Sequence, residues 1–153
     1  MSKSVPSGAE RVNLGVLASL IGFRLRMAQL AVYEDFLSDA PRGITPGPAA
    51  ILILVDANPE MTQQRLCEVV HLDKSTFAIM LNRLEARGLV RRIRSNVDRR
   101  QKMLRLTKKG AATRRSIVAH VKRHEQRVFA NLSGSERQSL AALLKKIPNP
   151  AKG

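Results

Sequence analysis

MTQQRLCEVVHLDKSTFAIMLNRLEARGLVRRIRSNVDRRQKMLRL, residues 61–106, is the stretch whose reading decides the fold. Thr62 opens a short helix, Gln63 to about Val70, in which Leu66, Val69 and Val70 supply the buried face. His71-Leu72 reads as a turn and Asp73 as the cap of a second helix, Lys74 to Arg87, which stops at Gly88 in the left-handed position after a helix. Phe77, Met80, Leu81 and Leu84 share one face of that helix, leaving Lys74, Ser75, Thr76, Ala78, Ile79, Asn82 and Arg83 freer. Leu89 to Ile93 and Lys102 to Leu106 then alternate apolar with basic, as half-buried strands do, around the arginine-rich tip Ser95-Asn96-Val97-Asp98-Arg99-Arg100. Two short helices, a tight turn and a basic hairpin together make a winged helix-turn-helix.

Upstream, Thr45 caps a helix with Pro46 at its first position, Ala49 to Val55 form its apolar body, and Asn58-Pro59 ends it. From Leu14 to roughly Asp39 there is no proline, and apolar residues fall on two lines at helical spacing. One is Leu14, Leu17, Ile21, Leu25, Ala28, Val32 and Phe36; the other is Val16, Leu20, Phe23, Met27, Leu30 and Leu37. A helix apolar on two sides needs two partners. Periodicity alone does not choose between a second subunit and burial at the centre of one. Downstream, Thr107 opens a long helix towards Ala130 with Ile117, Val121, Val128 and Leu132 in line. Ser133-x-x-Glu136 is a capping box before a last helix carrying Leu140, Leu143, Leu144 and Ile147, stopped by Pro148 and Pro150. The fold class is mainly α with a small β-hairpin wing.

A chain of 153 residues, 44% apolar and 25% charged, is sized for one domain with a core. Its longest apolar run, Ala49 to Val55, is too short to span a bilayer, and the first dozen residues carry no secretory pattern, so the expected location is the cytoplasm. The single Cys67 agrees with a reducing compartment. The formal charge of +15 points to a polyanion, nucleic acid before an anionic membrane surface. It is unevenly placed, at −1 over residues 1–60, +9 over 61–110 and +7 over 111–153. Between Arg83 and Lys109 eleven basic residues face only Glu85 and Asp98. With three histidines, one cysteine, no metal-spaced cluster and no phosphate-binding glycine loop, the sequence calls for neither catalysis nor a cofactor. Aromatic residues, at 3%, are too few for RNA base stacking.

From Ile44 onward the sequence resembles the MarR family of winged-helix regulators. The likeness is carried by Thr45-Pro46-Gly47-Pro48-Ala49-Ala50-Ile51-Leu52, Met61-Thr62-Gln63-Gln64-Arg65-Leu66, Leu72-Asp73-Lys74-Ser75-Thr76, Arg83-Leu84-Glu85-Ala86-Arg87-Gly88-Leu89-Val90-Arg91-Arg92, Asp98-Arg99-Arg100 and Leu104-Arg105-Leu106-Thr107-Lys108-Lys109-Gly110. It implies a tail at 1–12, a helical dimerisation region at 13–44 and 107–148, and a DNA-binding lobe at 45–106. The partners implied are a second copy, a pseudo-palindromic double-stranded operator and a small aromatic or acyl-CoA-type effector that releases the DNA.

In that scheme Lys74, Ser75 and Thr76 approach phosphates or base edges, aided by the positive helix end, with Ile79, Asn82 and Arg83 further along. An ion pair with Glu85 is the competing role for Arg83. Ala78-Ile79 stands where family members often carry Thr-Arg, which shifts readout towards Ser75, Thr76, the wing and contact of Ile79 with thymine methyls. Asp98 would orient Arg100 or Arg94 into the minor groove, and Arg99 would meet a phosphate. Arg24, Arg26, Met27, Leu30, Tyr33, Ile53 and His124 are candidate effector contacts, each with a blander role in core, surface or ion pair. Two alternatives remain, a redox sensor through Cys67 and a sequence-tolerant architectural protein. Arg114, Arg115, Lys122, Arg123 and Arg127 carry charge with no assigned role.

Overall fold

The computed structural model describes residues 12–41, 43–94 and 101–148. In chain order it runs through a 3-10 turn at Gly15–Ser19, α1 (Ile21–Ser38), α2 (Pro46–Ala57), α3 (Gln63–Val69), α4 (Lys74–Ala86), β1 (Val90–Arg94), β2 (Lys102–Leu106), α5 (Lys108–Val128) and α6 (Gly134–Leu144). It is mainly helical with a two-stranded antiparallel hairpin, in register from Val90 opposite Leu106 to Arg94 opposite Lys102. An isolated bridge between Thr62 and Met103 adds the start of α3 to the outer side of β2.

The most apolar helix, α2, sits in the middle, with Ala49, Ile51, Leu52 and Val55 buried. Around it close Leu66 of α3, Phe77, Leu81 and Leu84 of α4, Leu89, Val90 and Leu104 of the hairpin, Ile117 of α5 and Phe36 of α1. Val69, expected inside, is 38% exposed, because a seven-residue helix turns only one narrow face inward and Leu66 occupies it. Thr45 takes the N-cap position of α2 with extended backbone, but its hydroxyl makes no capping bond.

Local chemistry sets the other boundaries. The Asp73 carboxylate accepts from the Thr76 N–H at 2.8 Å, and Ser133 and Glu136 form the full capping box. Gly88, at φ +67°, ends α4 with its N–H on Glu85 O and the Leu89 N–H on Leu84 O. Where the hairpin returns, Thr107 Oγ1 donates to Gly88 O at 2.6 Å and accepts from the Gly110 N–H at 2.9 Å. The start of α5 is thereby pressed against Leu89. Only glycine fits at 110, since a Cβ there would lie 2.8 Å from the Leu89 carbonyl carbon and nearer still to its oxygen.

The N-terminal segment is not the single helix expected from Leu14 to Asp39. Asn13 Oδ1 accepts from the Gly15 N–H at 2.9 Å, Gly15 lies at φ +53°, and Leu20 is extended at ψ 124°, so the helix begins at Ile21. Among the described residues most of both apolar lines is uncovered, with Phe23 and Val32 half-buried. Phe36 is buried, whereas Leu17, Leu20, Ile21, Leu25, Met27, Leu30 and Leu37 are exposed. Burial of this helix at the centre of one subunit is therefore not what the fold does. The final helix is shorter than expected, ending at Leu144, with Leu143, Leu144 and Ile147 exposed. Among the described residues no helix is long and apolar enough to cross a membrane.

Candidate nucleic-acid interface

Helix α4 stands on the core through Phe77, Leu81 and Leu84 and leaves Lys74, Ser75, Ile79, Asn82 and Arg83 in solvent, with Thr76 half-buried. Ile79, a large apolar side chain, is 53% exposed. Glu85 is taken by Arg92, so the ion pair that competed for Arg83 does not form. Arg83 has no polar partner among the described residues.

The N-terminal turn of α4 differs from expectation in its electrostatics. Asp73 accepts from the Thr76 N–H and from the Ser75 hydroxyl. Those two residues, Ser75 first, hold the Asp73 carboxyl far below the usual carboxylate range, so it stays charged. A carboxylate there offsets the positive helix end that was expected to attract phosphate. Ser75 has given its only hydrogen to Asp73 and so offers lone pairs outward. Lys74 is the one cation of that turn.

In the hairpin, Arg94 ends β1 opposite Lys102 and is exposed. Asp98, Arg99 and Arg100 lie outside the described residues. Sequence reasoning missed Arg92. One of its guanidinium nitrogens donates to Glu85 and another to Asn82 Oδ1 at 2.6 Å, tying β1 to α4. Two partners seven and ten residues away on a different element leave no periodic mark in the sequence.

The seven candidate effector contacts are not gathered into one cavity. Arg24, Arg26, Met27, Leu30 and Tyr33 lie on exposed α1, and Arg24 donates to Ala18 O at 2.9 Å. Ile53 is half-buried and packs against the core. His124 is buried, with Nδ1 2.8 Å from Asp35 Oδ2 and its ring edge-on to Phe36. A cavity of about 440 Å³ opens elsewhere, between the start of α3 and the first residues of β2, lined by Thr62, Gln63, Arg65 and Lys102 among others.

His124 belongs to a polar seam between α1 and α5. Arg127 holds both Asp35 and Asp39, and its hydrogen bonds depress both carboxyls, with His124 adding to the effect at Asp35. His120 is buried with Nδ1 3.2 Å from Asp39 Oδ1, but the pair is not aligned for a hydrogen bond. Arg114 pairs with Asp56 and Arg123 lies 3.9 Å from Asp39. Three of the five unassigned basic residues thus neutralise acids of α1 and α2. Arg115 and Lys122 are exposed without a polar partner among the described residues.

Residues 42–101, from the start of α2 to the hairpin, match the MarR family. Over 135 residues the chain is 34% identical to a Thauera aromatica protein described as a candidate transcriptional regulatory protein for the hcr operon, spanning 87% of this chain and 81% of that one. The chain belongs to the MarR family of transcriptional regulators. Among solved MarR-type structures, the repressor CouR bound to a 23-mer DNA duplex shares 39% identity and a TM-score of 0.83 over 90% of this chain and 99% of its own. CouR bound to p-coumaroyl-CoA gives 37% and 0.81, over 90% and 97%. PcaV from Streptomyces coelicolor with its natural ligand gives 29% and 0.80, over 89% and 96%. The MarR match begins after α1, the segment where apolar periodicity misplaced the helix start.

Proposed function

We propose that the chain is a DNA-binding repressor that grips a pseudo-palindromic operator as a homodimer and is released by a small aromatic or acyl-CoA-type ligand. The observation that carries this is the solvent face of α4, with exposed Ile79, Asn82 and Arg83 beside an arginine-rich hairpin. Among the described residues the Arg83 side chain has no polar partner, and Ile79 is left 53% exposed. In this scheme residues 45–106 form the DNA lobe. Lys74, Ser75, Thr76, Ile79, Asn82 and Arg83 enter the major groove, while Arg94, Asp98, Arg99 and Arg100 work at the minor groove and phosphates. Residues 13–44 and 107–148 pair with those of a second copy, which gives the exposed Leu17, Ile21 and Leu25 of the N-terminal segment and Leu143, Leu144 and Ile147 beyond α5 an apolar partner.

Arg24, Arg26, Met27, Leu30 and Tyr33 then border the cleft that dimerisation closes, and their cations suit a carboxylate or phosphate on the ligand. CouR with p-coumaroyl-CoA and PcaV with its natural ligand support this choice of effector class. The test compares binding to the gene's own upstream duplex with binding to random duplex across a salt series, with and without p-coumaroyl-CoA and free aromatic acids. With six to ten phosphate contacts, affinity falls roughly 10³–10⁵ from 50 to 200 mM salt. Specific binding, a two-fold assembly in sedimentation and ligand-induced release are the expected results. Equal affinity for both duplexes refutes the regulator reading.

A further inference from the structure

Arg92 engages two residues of α4 with one guanidinium, donating to the Glu85 carboxylate and to Asn82 Oδ1 at 2.6 Å. Glu85 and Asn82 lie three positions apart, on neighbouring turns, so the side chain staples the hairpin to the helix at two points. A guanidinium has donors only, which fixes the orientation of the Asn82 amide, with oxygen on Arg92 and NH₂ turned away from it. Asn82 is exposed, and that NH₂ has no partner among the described residues.

We propose that Arg92, by orienting the amide and filling one lone pair of Oδ1, makes Asn82 present its NH₂ as a donor at the DNA surface. Asparagine's two-point pair with adenine requires its oxygen to accept from N6 while its nitrogen donates to N7. Oδ1 has two lone pairs; with one taken by the Arg92 guanidinium and that cation beside it, an approach by the adenine N6 donor is disfavoured. Guanine, with acceptors at both O6 and N7, or a phosphate oxygen, satisfies the free NH₂. Where the acceptor is a base, Asn82 is then a specificity-determining residue, and in either case Arg92 is its positioning residue. The inference rests on the reading of α4 as the DNA-contacting helix.

The experiment selects bound duplexes from a pool with a randomised 24-base-pair core, using the full chain as wild type, Asn82→Ala, Arg92→Met and Arg92→Lys. If the acceptor is a base, wild type and Arg92→Lys prefer guanine at one position per half-site, and Asn82→Ala loses that preference. Arg92→Met moves it towards adenine by about tenfold or more, the discrimination carried by one two-point pair. If the acceptor is a phosphate, Asn82→Ala weakens all sequences by the same several-fold factor and alters no position. Should Arg92→Met fail to fold, Asn82→Asp serves instead, because it keeps an acceptor for Arg92 but has no donor; it must lose the guanine preference or the uniform affinity gain. Adenine at the Asn82-dependent position in wild type, unaltered affinity and profile in Asn82→Ala, or, where wild type prefers guanine, an unaltered profile in folded Arg92→Met each overturns the proposal. Failure of wild type to retain any duplex instead rejects the DNA-contacting role of α4, and the proposal with it.

Discussion

Replacing Gly110 by alanine tests the junction on which the hairpin and α5 are built. In an unconstrained helix the change favours folding by up to about 1 kcal/mol, because alanine is the better helix former. Here the new Cβ would lie 2.8 Å from the Leu89 carbonyl carbon and 3.3 Å from its Cα, against roughly 3.5–4.0 Å for comfortable carbon contacts. The start of α5 must back away from β1. That strains the bond from Thr107 Oγ1 to Gly88 O and the one from the Thr107 N–H to Leu89 O, found at 2.6 and 3.1 Å. At about 0.5–1.5 kcal/mol each, with looser packing of buried Leu89 and Val90 added, the net loss is about 2–3 kcal/mol. For a chain of this size the melting midpoint falls by roughly 4–12 °C. Gly134→Ala, at a helical position with nothing within 4 Å, is the matched control and should gain about 0.4–1 kcal/mol. Urea unfolding followed by circular dichroism, at one fixed chain concentration, reads both. A Gly110→Ala protein as stable as wild type, with Gly134→Ala behaving as stated, would refute the account of the junction.

Asp73→Ala removes a helix cap and a negative charge from the front of α4, so it should lower the melting midpoint by roughly 2–4 °C while raising affinity for random duplex at low salt. Opposite signs are the signature, and a parallel fall in both would assign Asp73 a direct DNA contact. Arg127→Ala removes the shared partner of Asp35 and Asp39, whose carboxyls are held below their unfolded values. Such groups stabilise the fold above their unfolded pKa, near 4, and lose that contribution as pH falls through the folded value. The variant should therefore lie below wild type at neutral pH and converge with it in acid, and a constant gap down to pH 2 would contradict the seam. Cys67 is half-buried with its Sγ donating to Leu72 O, so Cys67→Ser should keep DNA binding, and peroxide should affect wild type and variant alike. Peroxide release seen only in wild type would revive the redox alternative.

Much of the lobe was legible because its signals are local. Asp73, Gly88 and the Ser133–Glu136 box act within four residues, and each works where the spacing put it. The hairpin followed from alternation of apolar and basic residues. The N-terminal helix was misjudged because periodicity weighs apolar spacing and passes over Asn13 and Gly15, whose turn geometry breaks the helix. His124 carries no sequence sign of Asp35, its partner 89 positions earlier, and Arg92 none of Asn82. Lys74, Ser75, Ile79, Asn82 and Arg83 of α4 are exposed as read, while Thr76 and Ala78 are half-buried, and the hydrogen-bonding polarity of Ser75 and Asn82 depends on Asp73 and Arg92, a property of three-dimensional neighbours.

The close seat of α5 on Leu89 has a mechanical consequence. Gly88, Leu89, Thr107 and Gly110 meet at one point, and Lys109 adds a bond to Arg87 O at 2.8 Å, so the end of α4, the root of β1 and the start of α5 share a fulcrum. His124 lies fourteen residues along α5 from Gly110, an arm of about 21 Å, and α4 forms a second arm of about 20 Å. Were the two helices to turn together about it, a 2 Å displacement near His124 would be a rotation of roughly 5°, and the far end of α4 would sweep nearly the same distance. That sweep exceeds the few tenths of an ångström a hydrogen bond to a base edge tolerates. If α4 and α5 turn as one body about that point, a displacement at the α1–α5 seam reaches Lys74 nearly undiminished.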